Sequence, residues 1–166
     1  MARVPVSVVL GALGVGKTTL IRRLLAACPA GERWAVLVNE FGEVGIDGAA
    51  LAGTGAELAV EEVAGGCLCC TASMSLRVAL TRLLRQVRPD RLLVEPTGLG
   101  HPAGVVDVLR DPWLAQALEL RAVIALVDPR DLTPRRLAES AALRDQAQLA
   151  DVLDRKSTRL NSSHRL

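Results

Sequence analysis

The stretch Gly11-Ala12-Leu13-Gly14-Val15-Gly16-Lys17-Thr18 restricts the fold more than any other part of this chain. It has the spacing Gly, four free positions, Gly, Lys, Thr. An apolar run, Val6-Ser7-Val8-Val9-Leu10, precedes it, and a helical pattern follows. Strand, glycine-rich loop and helix in that order are what a phosphate-binding loop requires. Glycines let successive N–H groups turn toward one anion, and the helix N-terminus adds partial positive charge at the same point. Lys17 has the reach for β- and γ-phosphates, and the Thr18 hydroxyl is a ligand for Mg²⁺. At 166 residues the chain is one domain's length.

The rest reads as strands alternating with helices, hence an α/β fold: a P-loop NTPase three-layer sandwich with a mostly parallel central sheet, incomplete at the C-terminus. The first strand is Val4 to Leu10. Helix Lys17 to Cys28 puts Leu20, Ile21, Leu24, Leu25 and Cys28 on one face, so Cys28 is expected in the core. Ala35 to Val38 is a second strand, and Glu57 to Val63 a short third one. Thr71 or Ser73 can cap a helix whose stripe is Leu76, Ala79, Leu80, Leu83, Leu84 and Val87, stopped by Pro89. Arg91 to Val94 and Ala122 to Val127 are further strands, with a short helix from Ala103 to Leu109 between them. Thr133-Pro134 opens another helix, and Ala150 to Leu153 begins one more strand.

Half the residues are apolar, but the aromatics are only Phe41, Trp34 and Trp113, so the core must be aliphatic. So few aromatics argue against a base-stacking nucleic-acid surface. The net charge of +2 points the same way, because residues 154–166 carry +3 (Asp154 against Arg155, Lys156, Arg159 and Arg165) and residues 1–153 sum to −1. The chain opens directly on a strand and no apolar run approaches a membrane span, so a cytoplasmic protein without membrane contact is expected. Residues 154–166 are polar, basic and aperiodic. Asp154 to His164 resembles the translation of a common sequencing adapter, so the expected division is a truncated domain at 1–153 and a non-native or disordered tail at 154–166.

Two further constellations carry chemistry. Glu95 ends a buried strand in Glu95-Pro96-Thr97-Gly98, where an acidic residue can act on Mg²⁺ or its water, and the Gly98 N–H can meet a γ-phosphate. His101, in Gly100-His101-Pro102, reads as loop structure and not as a general base. Cys67-Leu68-Cys69-Cys70 offers three thiolates just before a helix N-terminus, which lowers their pKa and favours soft or borderline metals. Three ligands leave a tetrahedral Zn²⁺ site one short, so an open or transient site is expected.

A phosphate loop, then Asn39-Glu40-Phe41-Gly42, then Gly65-Gly66-Cys67-Leu68-Cys69-Cys70, then Glu95-Pro96-Thr97-Gly98, resembles the CobW-like GTPases, relatives of the nickel-insertion GTPases of hydrogenase and urease maturation. The resemblance covers about residues 4–153. It implies a GTP-hydrolysing metallochaperone, with Zn²⁺ or Co²⁺ carried to a metal-dependent client or to cobalamin or metallocentre assembly; a homodimer is compatible with it. It implies phosphate binding by Gly11, Gly14, Gly16, Lys17, Thr18 and Thr19. It implies Mg²⁺ coordination by Thr18 with Glu95 nearby and Asp47 in the switch loop, and transition metal at Cys67, Cys69 and Cys70 with Glu40 as carboxylate partner. The family reads guanine through Asn-Lys-x-Asp after the strand that begins at Ala150. Here the adapter-like residues stand in that place, so the chain should bind phosphates better than it discriminates bases. A small-molecule kinase, which would leave the cysteines without a task, and a non-catalytic metal- or phosphate-binding fragment are the competing readings.

Overall fold

The computed structural model describes residues 2–38, 57–62, 71–96 and 101–155. Its elements in chain order are β1 (Val4–Gly11), α1 (Lys17–Ala26), β2 (Arg33–Val38), β3 (Glu57–Glu62), α2 (Thr71–Gln86), β4 (Arg91–Glu95), α3 (Pro102–Arg110), β5 (Leu118–Val127), α4 (Pro134–Glu139), α5 (Ala141–Leu149) and β6 (Val152–Arg155). Single 3₁₀ turns lie at Leu114–Gln116 and Pro129–Asp131.

The strands form one six-stranded sheet in the order β3-β2-β4-β1-β5-β6, and every neighbouring pair is parallel. Parallel strands need both faces covered, and the sequence of β1 meets that demand. Val6, Val8 and Leu10 face one layer, with Ala35, Leu37, Leu92, Val94, Val123 and Ala125. Leu76, Leu80 and Leu83 of α2 and Val105, Val106 and Leu109 of α3 close that layer. Val9 faces the other layer, with Val36, Val38, Leu93 and Leu126, closed by Ile21 and Leu25 of α1. Each buried Leu, Ile or Val side chain contributes about 1.5–3 kcal/mol. The core is aliphatic as expected, apart from Trp34, whose Nε1 donates to Glu32 Oε2 (2.6 Å) and whose ring lies under the Arg91 guanidinium (4.9 Å).

Caps and breakers account for the helix ends. Thr133 accepts from the N–H of Arg136 and Pro134 occupies the first turn of α4. Ser140 then caps α5, so the single helix expected after Thr133 is two. Strand β5 begins four residues before the expected Ala122, because the ladder slips between Val6↔Leu120 and Ser7↔Ala122. The extra residue is Arg121, and it shifts the buried positions from Leu118 to Val123, Ala125 and Val127. Strand β6 takes in Asp154 and Arg155, two residues assigned by sequence to the tail.

This topology positions a crevice. Strands β1 and β4 are neighbours (Val6↔Leu92, Ser7↔Leu93, Val8↔Val94), yet α1 follows β1 on one face of the sheet and α3 follows β4 on the other. Their carboxyl ends therefore diverge into opposite layers, which is where open parallel sheets bind ligands.

Candidate phosphate-binding site

Gly11 is the last residue of β1, with φ +149°. A Cβ there would lie 2.7 Å from the Leu126 carbonyl oxygen and 2.7 Å from Val15 Cγ1, so the loop leaves the strand with its backbone pressed against β5. Gly14 (φ +74°) and Gly16 (φ +108°) have open space beside them but need left-handed backbone, which only glycine adopts cheaply. Gly16 is also the N-cap of α1. It brings no side-chain cap, and the first turn of α1 has no acidic residue, so the positive end of the helix dipole is not offset by a local carboxylate.

Lys17 is only 5 % exposed. Its Nζ donates to the carbonyls of Gly11 and Ala12, both at 3.0 Å, and lies 3.6 Å from Glu95 Oε1. The lysine thus bends back over its own loop and meets the acid at the end of β4, whose side chain is 8 % exposed. Thr18 is half-buried and Thr19 exposed on the first turn of α1. Amide donors, a buried ammonium and a helix N-terminus around one loop suit a polyphosphate. A hydroxyl at Thr18 and a carboxylate at Glu95 are hard oxygen donors that fit Mg²⁺, which would neutralise phosphate charge when bound.

Gly98, Asp47, Glu40, Cys67, Cys69 and Cys70 lie outside the described residues. The points where the chain enters and leaves those stretches are described. Val38, the last residue of β2, is in register with Glu95 on one side and Glu62 of β3 on the other. Val38 and Glu62, the last described residues before those stretches, therefore lie on the same carboxyl edge of the sheet as Glu95, and Thr71 opens α2 directly after Cys70.

Some functional geometry had no counterpart in the sequence reading. His101 caps α3, its Nδ1 accepting from the Ala103 N–H (3.3 Å), and its Nε2 meets Asp145 of α5 at 2.7 Å. His101 thus ties α3 to α5. A signal was available, since a polar residue before Pro102 fits an N-cap followed by proline. A cleft of about 240 Å³ flanks the loop at Ala12, walled by Asp131, Arg136, Ser140 and Gln146. Cys28 lies partly buried at the edge of the α1 layer rather than in the core, and burial, then Glu32 and Asp90, push its thiol pKa up, so it stays neutral.

Loop, crevice and sheet order together define a P-loop nucleotide-binding domain. Residues 5–156 match the family described as CobW/HypB/UreG, nucleotide-binding domain, and the chain belongs to that family. It is 50 % identical over 147 residues to the zinc chaperone YeiR of Escherichia coli (strain K12), covering 89 % of this chain and 44 % of that protein. It is 33 % identical over 172 residues to the zinc-regulated GTPase metalloprotein activator 1 of Schizosaccharomyces pombe (strain 972), covering 98 % of this chain and 41 % of that one. Among solved structures it resembles the Zn(II)-bound YjiA GTPase from E. coli, with a TM-score of 0.63 and 26 % identity, over 93 % of this chain and 49 % of that one. The chain thus spans less than half the length of these curated relatives. Among the described residues no helix is long and apolar enough to cross a membrane.

Proposed function

We propose that this protein is a GTP-binding and GTP-hydrolysing metallochaperone of the cytoplasm that couples its nucleotide state to binding and delivery of zinc. The observation that carries the reading is the three-glycine loop with Lys17 buried against it and against Glu95. In the free protein Lys17 holds two loop carbonyls. With GTP bound, Nζ exchanges them for phosphate oxygens, Thr18 and Glu95 serve Mg²⁺, and the amides at Gly14, Gly16, Lys17 and Thr18 cradle the phosphates. Asp47 would join Thr18 and Glu95 around Mg²⁺, the Gly98 N–H would meet the γ-phosphate, and Thr19 adds to the phosphate loop.

Cys67, Cys69 and Cys70, with Glu40, form the cargo site. The stretches that hold them begin after the carboxyl ends of β3 and β2, and β2 neighbours β4 at the edge that carries Glu95, which supports a cargo site coupled to the nucleotide. Zinc is favoured over Co²⁺ because two of the relatives carry zinc in their names and a third has it bound in its structure. A metal-dependent protein or a metallocentre assembly receives the ion.

The test is zinc titration and GTP turnover of the wild-type chain, of C67A/C69A/C70A and of K17A. Zinc affinity should fall at least tenfold in the triple variant with phosphate binding retained, and nucleotide retention should vanish in K17A. Native zinc affinity in the triple variant sinks the cargo site. Zinc binding without turnover in the wild type leaves a non-catalytic metal- and phosphate-binding module.

A further inference from the structure

A groove of about 500 Å³ runs between Val78, Arg82 and Arg85 of α2 and Trp113. Its rim is set by Asp111, which accepts from Arg77 Nη2 (2.9 Å) and from the Trp113 N–H (3.0 Å). No residue of the phosphate loop lines it. The smaller cleft, of about 240 Å³, is different: Ala12 of the loop lines it together with Asp131, Arg136, Ser140 and Gln146. Gly11 is in register with Leu126, so β1 and β5 bring the loop and the segment after Val127 to the same edge of the sheet. The lysine of a phosphate loop meets the β- and γ-phosphates, and Lys17 Nζ lies 3.0 Å from the Ala12 carbonyl. The cleft therefore borders the end of the site that would take the γ-phosphate.

Four arginines stand between β5 and β6, at 130, 135, 136 and 144, and three are committed elsewhere. Asp128 clasps Arg130 at its own turn (Nε to Oδ1, 2.9 Å). Arg135 pairs with Glu139 one turn along α4 (2.8 Å), and Arg144 donates to the Leu137 and Ala138 carbonyls (2.5 and 2.6 Å). Arg136 is held differently. Its backbone is fixed in the first turn of α4, where its N–H donates to Thr133 Oγ1 (3.3 Å). Among the described residues its guanidinium meets only Asp131 Oδ1, at 3.3 Å, and the side chain is 62 % exposed. A contact so long and so wet contributes little, so the guanidinium leaves it at little cost. The rest of the cleft is braced. Ser140 caps α5, Arg144 ties α5 to the end of α4, and His101 holds Asp145, the neighbour of Gln146, at 2.7 Å.

We propose that Arg136 is the second cation of the phosphate site and the residue that tells a nucleoside triphosphate from a diphosphate. With the triphosphate bound, its guanidinium changes rotamer, leaves Asp131 and binds a γ-phosphate oxygen across the cleft, a contact the diphosphate cannot make. In the free protein Asp131 keeps the arginine at the cleft wall. The planar fork of a guanidinium matches phosphate oxygens better than an ammonium does, and it complements Lys17, which comes from within the loop. The inference rests on the nucleotide reading above and is independent of the zinc reading.

The experiment is calorimetric titration of the 166-residue chain with GTPγS and with GDP, each with Mg²⁺, in wild type, Arg136→Gln, Arg136→Lys and Asp131→Asn. Thermal melts verify that the variants fold. Arg136→Gln should bind GTPγS about tenfold more weakly, with GDP affinity kept within about twofold. Arg136→Lys, which keeps the charge without the fork, should lose less. Asp131→Asn only frees the arginine and should bind GTPγS at least as tightly as wild type. Equal losses for GTPγS and GDP in Arg136→Gln, or no loss for either, overturn the proposal. So does a GTPγS loss in Asp131→Asn as large as that in Arg136→Gln, which would make the ion pair a structural unit. Wild type that binds neither nucleotide removes the nucleotide reading and the proposal together, whereas normal GTPγS binding in wild type and in Arg136→Gln removes the proposal alone.

Discussion

Two cation–carboxylate pairs in this molecule invite comparison. Arg77 and Asp111 meet at 2.9 Å with side chains 34 % and 24 % exposed, whereas Lys17 and Glu95 sit 3.6 Å apart at 5 % and 8 %. The shorter contact is the lesser constraint. On the surface, water and salt screen the pair, and its use is geometric: it sets the rim of the α2 groove. In the crevice both ions are stripped of water, at an effective cost of several kcal/mol each, so apolar residues of similar volume would serve stability at least as well. A buried pair at the carboxyl ends of two central strands is what the proposed nucleotide chemistry calls for. The surface pair needs only packing to account for it.

The strongest way to break the comparison is to remove one ion at a time from the crevice. Lys17→Met leaves the Glu95 carboxylate buried without this cation and should cost about 3 kcal/mol in urea unfolding. Glu95→Gln should cost clearly less, because Lys17 keeps the Gly11 and Ala12 carbonyls at 3.0 Å. Equal losses would mean that the lysine draws no support from the loop. Next in size is Gly11→Ala. Its Cβ would press the Leu126 backbone oxygen, which cannot swing aside, and about 2–3 kcal/mol should be lost. Gly14→Ala, with open space but φ +74°, should cost only about 1–2 kcal/mol while still impairing phosphate binding. Circular dichroism melts beside GTP titration separate the two effects.

The same contrast explains what could be read before the fold was known. Central strands and helix stripes were legible because burial on both faces leaves near-continuous apolar runs, as in Val6–Leu10 and Leu92–Val94, and one-sided burial leaves the 3.6-residue stripe of Leu76, Leu80 and Leu83. The phosphate loop was legible because three positive φ angles demand glycine. The start of β5 was not, since the extra residue at Arg121 reverses the alternation that marks a strand. Lys17 reads as a phosphate ligand, and nothing in its motif announces that it rests on Gly11 and Ala12. The α2 groove was hidden for a different reason. Trp113 lies about thirty residues along the chain from Arg82 and Arg85, and only the packing of α3 against α2 brings them to one surface.

The surface pair predicts a pH dependence of stability. The Arg77 hydrogen bond, helped by the Trp113 N–H, holds Asp111 below the ordinary carboxylate range. A depressed folded-state pKa means that its stabilisation is complete above the unfolded value, near 4, and disappears as pH falls through the folded one. Asp111→Asn should therefore lower the urea midpoint at pH 7 by a small, salt-sensitive amount, and the gap from wild type should narrow as the pH falls below about 4. A gap that persists unchanged at pH 3 would show that Asp111 acts only as an uncharged hydrogen-bond acceptor.

The smallest effect sharpens the comparison at the level of the backbone. The phosphate loop assigns its left-handed positions to glycine, but in the turn after α2 Arg88 has φ +50°, just before Pro89. Among the described residues this is the one non-glycine at positive φ. An L-residue there bears strain of roughly 1–2 kcal/mol, part of which glycine recovers and part of which it forfeits through its greater freedom in the unfolded chain. Arg88→Gly should therefore stabilise the fold by about 0.5 kcal/mol, visible as a slightly higher melting temperature with GTP and zinc binding unchanged. On the proposed function, glycine at 11, 14 and 16 answers to a ligand as well as to the backbone, whereas no ligand is proposed for position 88. A destabilised Arg88→Gly variant would mean that the arginine side chain holds contacts worth more than its strain, and that the end of α2 is organised by its surface.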